Sequence, residues 1–174
     1  MPEPAEIRTR RLLLRRPRPE DTDSFVEVHT RPETHVHSGF GRRTREQALQ
    51  LLELIQRDWQ ETGVGYWSIL TTGSGELIGF GGLRHADDEG APILNLYFRF
   101  QPFAWGNGYA TEMSAAALGW AQHNRPDIPV LVRTATRNAP AIGVANKLGL
   151  ELVEERLHEG VPEVVFRSPH PGLS

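Results

Sequence analysis

The sequence predicts an α/β protein in which a mixed, mostly antiparallel sheet carries helices on both faces. Three observations predict it. Short apolar runs joined by polar turns come early in the chain, strand and helix alternate late, and no linker rich in Pro, Gly or Ser divides the 174 residues. A single domain over 1–174 is therefore expected, since a chain of this length buries a core without metal or disulfide.

The elements follow in order. Leu12, Leu13 and Leu14, set among Arg8, Arg10, Arg11, Arg15, Arg16 and Arg18, read as a buried strand with charged ends and a charged solvent face. Residues 19–29 read as a short helix with Glu20 and Asp21 in its first turn, where acidic groups complement the dipole. Residues 30–43, interrupted by Pro32, Gly39 and Gly41, read as a long loop. Thr44 and Gln47 form a capping-box pair in front of an amphipathic helix through Ala48, Leu51, Leu52, Ile55 and Trp59, ending at Gly63. Strands over 65–70 and 77–83 flank a turn at Gly73, Ser74 and Gly75, and polar residues 85–90 read as a second turn into a strand over 93–100. Ala110, Met113, Ala117, Trp120 and Ala121 mark one face of a helix. Residues 130–136 alternate as a strand. Asn138 caps a helix with Ile142, Ala145 and Leu148 inward and Gly149 at its C-terminal end, and residues 151–157 and 163–167 close the chain as a hairpin around Gly160.

Composition limits function. Apolar residues at 39% and charged residues at 24% are globular values. With no cysteine, thiol nucleophiles, disulfide scaffolds and cysteine metal sites are all excluded. A formal net charge of -3 argues against a general nucleic-acid binder, so the arginine cluster is read as a strand's charged surroundings. Residues 1–6 carry no apolar signal core and no window reaches membrane-span length, so a soluble, cytoplasmic protein is expected.

The most informative segment is Gln101-Pro102-Phe103-Ala104-Trp105-Gly106-Asn107-Gly108-Tyr109-Ala110-Thr111-Glu112, which joins a strand to a helix through a glycine pair. The first turn of a helix offers unpaired N–H groups and the positive end of the dipole, and glycines let an anion approach the backbone closely. Two familiar phosphate loops are excluded. No Gly-Lys-Ser/Thr ending occurs, and Thr111 stands where a dinucleotide fingerprint requires a third glycine.

What remains resembles the acyl-CoA loop of the GNAT superfamily of N-acetyltransferases, whose pattern is Gln/Arg-x-x-Gly-x-Gly/Ala. The longer form Trp-Gly-x-Gly-Tyr-Ala-Thr-Glu resembles its ribosomal-protein N-terminal acetyltransferase branch, and residues 105–112 match it at every fixed position. Phe103 departs from the pattern, standing where Gln or Arg is usual. A second signature, Arg137-Asn138-Ala139-Pro140-Ala141 followed by Asn146-Lys147-Leu148-Gly149-Leu150, is similar to the family's Asn-x-x-Ser run and Lys-Leu-Gly-Phe ending.

The resemblance implies a sheet with a central splay, acetyl-CoA as co-substrate and a primary amine as acceptor, either a peptide or protein N-terminus or a small molecule. It implies that Phe98, Phe100, Phe103, Trp105, Gly106, Asn107, Gly108, Tyr109, Ala110, Thr111 and Asn138 hold the CoA, without a metal. Its customary proton-handling positions fall here on Asn95, Ala141 and Ala145, none of them titratable. Asn95 is expected to orient a water. His85, placed where a strand ends near the expected cleft, is the substitute base, although its acidic neighbours Asp87, Asp88 and Glu89 favour an ordinary turn residue. His35 and His37 bracket Val36 in the long loop that would border the acceptor, and solvent or substrate contact is expected of them. An acyl-CoA-binding protein with little transferase activity is the rival from another class, and a monomer or homodimer is expected.

Overall fold

The computed structural model describes residues 6–39 and 41–169, so the N-terminal reading lies, up to Ala5, outside the described residues. The chain opens with a hairpin of β1 (Glu6–Arg8) and β2 (Leu12–Arg15), then a 3₁₀ turn at Pro19–Asp21 and helix α1 (Thr22–Thr30). Helix α2 (Arg45–Thr62) leads into β3 (Tyr66–Thr71), β4 (Leu77–Asp88) and β5 (Ala91–Phe100). Helix α3 (Tyr109–Asn124), β6 (Val130–Ala135), α4 (Ala139–Lys147), β7 (Glu151–His158) and β8 (Val161–Arg167) complete it.

Among the described residues these strands form one eight-stranded sheet in the order β1-β2-β3-β4-β5-β6-β8-β7. Every neighbouring pair is antiparallel except β5 and β6. Side-chain alternation assigns the helices to faces. On β4, Phe80 meets Phe25 of α1 with ring centroids 4.9 Å apart, and Arg84 pairs with Asp58 of α2. Gly81, one residue along from Phe80, faces the Met113 methyl of α3. Helices α1 and α2 therefore cover one face and α3 the other.

The expected capping box is present. Gln47 N–H donates to Thr44 Oγ1 (3.1 Å) and Thr44 N–H to Gln47 Oε1 (2.9 Å), and Gly63 ends α2 at φ 73°. A buried ion pair ties α1 to the sheet: Arg15 donates to both carboxylate oxygens of Asp21 (2.7 and 3.0 Å), and the Ser68 hydroxyl adds a third bond at 2.7 Å. Burial opposes the charged form of Asp21, but Arg15, the Arg18 amide and Ser68 outweigh it and hold the carboxyl below its usual range.

Two sequence expectations are corrected. The turn read at residues 85–90 begins only after Asp88, because β4 continues with His85 paired to Leu94 and Asp87 to Pro92. Asp88 is accommodated in the strand by Arg133 (3.2 Å) and Arg156 (2.6 Å), which remove the usual objection to a strand aspartate. The arginine segment is a hairpin rather than one strand. Glu112, in the first turn of α3, binds across to that hairpin, accepting from Thr9 Oγ1 (2.6 Å), the Arg11 amide (2.9 Å) and Arg11 Nε (2.7 Å).

Candidate functional site

The splay is present. Strand β5 pairs with β4 along its whole length, from Ala91 to Phe100, but with β6 only at Leu94 and Asn95. Where β5 and β6 part, a groove of about 590 Å³ opens. It runs from residues 34–39 and 41–43 on the α1 face, between the parted strands, to residues 106–111 on the α3 face.

At the α3 end the backbone does the work. Gly106 and Gly108 both have φ of 79°, a left-handed conformation that residues with a Cβ adopt only at a cost. The first intrahelical bond runs from Glu112 N–H to Gly108 O (3.1 Å), so the amides of Tyr109, Ala110 and Thr111 precede the helical ladder. Asn107 braces the turn by donating to Ala104 O and Trp105 O. Arg11 clamps it from outside, donating to Asn107 O (2.9 Å) with its guanidinium carbon 4.6 Å from the Tyr109 ring centroid. Burial works against the charged form of Glu112, but the Thr9 hydroxyl and Arg11 outweigh it and hold the carboxyl below its usual range.

The other residues expected to hold the cofactor divide. Phe98, Phe100, Trp105, Tyr109, Ala110 and Asn138 line the groove. Phe103 is 60% exposed and sits outside that lining. Trp105, 48% exposed, donates its indole N–H to Phe100 O (3.0 Å) and forms part of the rim. Asn138 caps α4 as its sequence position suggests, accepting from Ala141 N–H (3.2 Å) and donating to Thr134 Oγ1 (2.8 Å).

The α1 face of the groove holds residues that the sequence reading missed. Tyr97 and Arg99 follow Asn95 at alternate positions and line this wall, a signal available from strand periodicity alone. His29, 1% exposed, donates from Nδ1 to Phe25 O (2.8 Å), which leaves Nε2 to accept from the Tyr97 hydroxyl (3.0 Å). Burial pushes its pKa from 6.5 down to about 3, so it stays neutral. Arg99 donates from Nε to Tyr97 Oη (2.8 Å) and from Nη1 to Thr34 O, while Arg137 donates to Ser38 O. These bonds hold residues 34–39 over the groove.

The expected catalytic residues lie elsewhere. His85 is outside the groove lining, and its pKa is lowered by burial and by Arg125, with Asp58 opposing. Asn95 donates to Tyr66 Oη (3.1 Å) and accepts from Arg133 Nε (3.2 Å), so it reaches the groove only through Arg133, which does line it. Ala141 lines the groove, whereas Ala145 is 1% exposed in the core. His35 and His37 both line the groove. The His35 pKa is lowered, chiefly by burial and also by Arg99, Arg43 and Arg42, while Nδ1 donates to Arg31 O (2.8 Å) and opposes the shift.

The sequence model of the acetyltransferase (GNAT) domain matches residues 11–151. The chain belongs to this family. Its members use acetyl-CoA as co-substrate. An uncharacterized Bacillus subtilis protein, YkkB, is 26% identical over 110 residues, 63% of this chain, and the chain spans 64% of that relative's length. Solved structures share the fold. An acetyltransferase from Agrobacterium tumefaciens aligns with a TM-score of 0.83 at 22% identity, over 94% of each chain. A ribosomal-protein-S5-alanine acetyltransferase from Vibrio fischeri aligns with a TM-score of 0.72 at 13% identity, over 96% of this chain and 97% of its own. Among the described residues no helix is long and apolar enough to cross a membrane.

Proposed function

We propose that this chain transfers the acetyl group of acetyl-CoA to a primary amine, with the N-terminus of a peptide or protein as the leading acceptor. The observation that carries the reading is the groove itself, cut by the β5–β6 splay and ending on the glycine-paired turn and free amides that begin α3. Acetyl-CoA supplies an activated thioester. The residues fit it: the amides of Tyr109, Ala110 and Thr111 would face its pyrophosphate, Arg11 braces the turn through Asn107 O, and the parted edge of β5 near Phe98 offers backbone groups to the pantetheine. Phe103 contributes at most to the rim.

Transfer forms a bond from the amine nitrogen to the acetyl carbon and breaks the carbon–sulfur bond. The amine proton ends on sulfur by way of solvent. The chain's contribution is to keep the amine neutral and held in place. Arg99 and Arg43 line the acceptor side and disfavour a positively charged ammonium there. Asn95 acts as a positioning residue, steadying Arg133. The lack of cysteine fits a reducing compartment such as the cytoplasm.

The test is a panel assay of CoA release with N-terminal peptides, amino acids, polyamines and aminoglycosides. Turnover fastest with α-amines is expected. The non-titratable Ala141 and Ala145 favour a second reading, an acyl-CoA-binding protein with little transferase activity. Tight CoA binding with no amine turned over would replace the first reading with the second.

A further inference from the structure

On the acceptor wall, Arg99 and Arg43 differ from Glu163 and Arg133, two other charged groups that line the groove. Glu163 is held by Arg156 at 2.9 Å, and Arg133 is paired with Asp88 at 3.2 Å, so these charges are already answered. Arg99 bonds only to neutral oxygens, Tyr97 Oη and Thr34 O. Among the described residues no carboxylate pairs with Arg99 or Arg43, and both line the groove. The Nη2 group of Arg99 remains available on a half-buried guanidinium that its other bonds have already oriented. Both arginines also rank among the groups that depress the pKa values of His29 and His35, behind burial.

This charge is separated from the glycine turn. Tyr97 bonds to His29 of α1, so Tyr97 and Arg99 point to the α1 face, while Phe98 and Phe100 point to the face of α3. A phosphate held at residues 106–111 lies across the sheet from Arg99. The arginine is therefore arranged for a different anion.

We propose that the acceptor is a primary amine whose own molecule carries an anionic oxygen group, bound by Arg99 with Arg43 as the second cation. This rests on the transferase reading above and narrows its substrate class. Two sources supply that chemistry: a free α-amino acid with its carboxylate, or a peptide N-terminus followed by Asp or Glu. A planar guanidinium with donors to spare binds either carboxylate through charge-assisted hydrogen bonds.

The experiment measures initial rates of CoA release with matched pairs, alanine against alaninamide and Ala-Glu-amide against Ala-Gln-amide, and CoA affinity by calorimetry. In the parent protein one anionic member is expected to exceed its neutral partner by about tenfold in kcat/KM, through KM, and the pair that shows the effect names the source. Arg99→Gln should reduce that preference to about twofold or less without changing CoA affinity, and Arg99→Lys should restore part of it. Arg43→Gln, at a side chain with no hydrogen bond among the described residues, reads the same charge without disturbing the bond to Thr34 O. Equal rates within both pairs, a preference that survives both glutamine variants, or a loss of CoA affinity in Arg99→Gln would overturn the inference alone. No CoA release from any amine, with CoA still bound, would overturn the transferase reading beneath it.

Discussion

The two walls of the groove are built by opposite means. The α3 wall is local: a strand end, a glycine-paired turn and a helix start, adjacent in sequence, present backbone amides. The α1 wall is assembled across the chain, with His29 bonded to Tyr97 at a separation of 68 residues and Arg99 to Thr34 at 65. A wall made of backbone tolerates side-chain change but not a change of torsion. A wall made of side chains depends on whatever anchors its elements, and on pH.

The largest expected effect breaks the anchor of the α1 wall. Asp21→Ala strands a buried Arg15 and a buried Ser68 hydroxyl, which should cost about 3–5 kcal/mol of stability in urea unfolding. CoA affinity of the protein that remains folded should hold. A loss below about 1 kcal/mol would show that α1 is held by packing alone.

Next in size is the break in the other wall. Gly108→Val forces a β-branched residue into φ of 79° and places methyl groups over the first amides of α3. CoA affinity should fall by about a hundredfold by calorimetry, with a thermal midpoint shifted much less than in Asp21→Ala. Unchanged affinity would place the phosphate cradle elsewhere.

A third measurement uses pH. The folded pKa of His29 is about 3, below its ordinary 6.5, so the unfolded chain takes up a proton that the folded chain refuses. Its contribution is complete above about pH 6.5 and is lost as pH falls toward 3, amounting to about 2 kcal/mol between pH 7.5 and 5. Urea midpoints at the two pH values for the parent and His29→Gln isolate it by difference. If both proteins lose the same stability, His29 does not lock the α1 wall. The smallest effect sharpens the comparison: Glu112→Gln, at a partly exposed pair with Arg11, should cost ~0.5 kcal/mol and weaken CoA binding about twofold. A tenfold loss would mean that the local wall also leans on long-range side chains.

The same contrast explains what could be read from sequence. The α2 cap, the α3 face and the glycine turn depend on residues a few positions apart, and their types alone specify them. The end of β4 is not legible because Asp87, Asp88 and Glu89 have the composition of a turn, and Arg133 and Arg156, which neutralise Asp88, lie far along the chain. A strand ending there would put His85 at its tip, whereas it lies within β4 and outside the groove lining. Tyr97 and Arg99 are harder to read because their importance arises from what faces them, His29 and Thr34, and no local pattern encodes that meeting.

The parting of β5 from β6 also gives this sheet edges in its interior. Past Asn95 and Leu131 each strand presents backbone donors and acceptors that the other does not take up. An outer edge of that kind invites a foreign chain to add itself as another strand, the first step toward aggregation. Here the opening is covered by residues 34–39 and 41–43 on one face and by the packed α3 and α4 on the other. Cover on both faces blocks the approach of such a strand, so the parted edges do not offer the template that an open edge does.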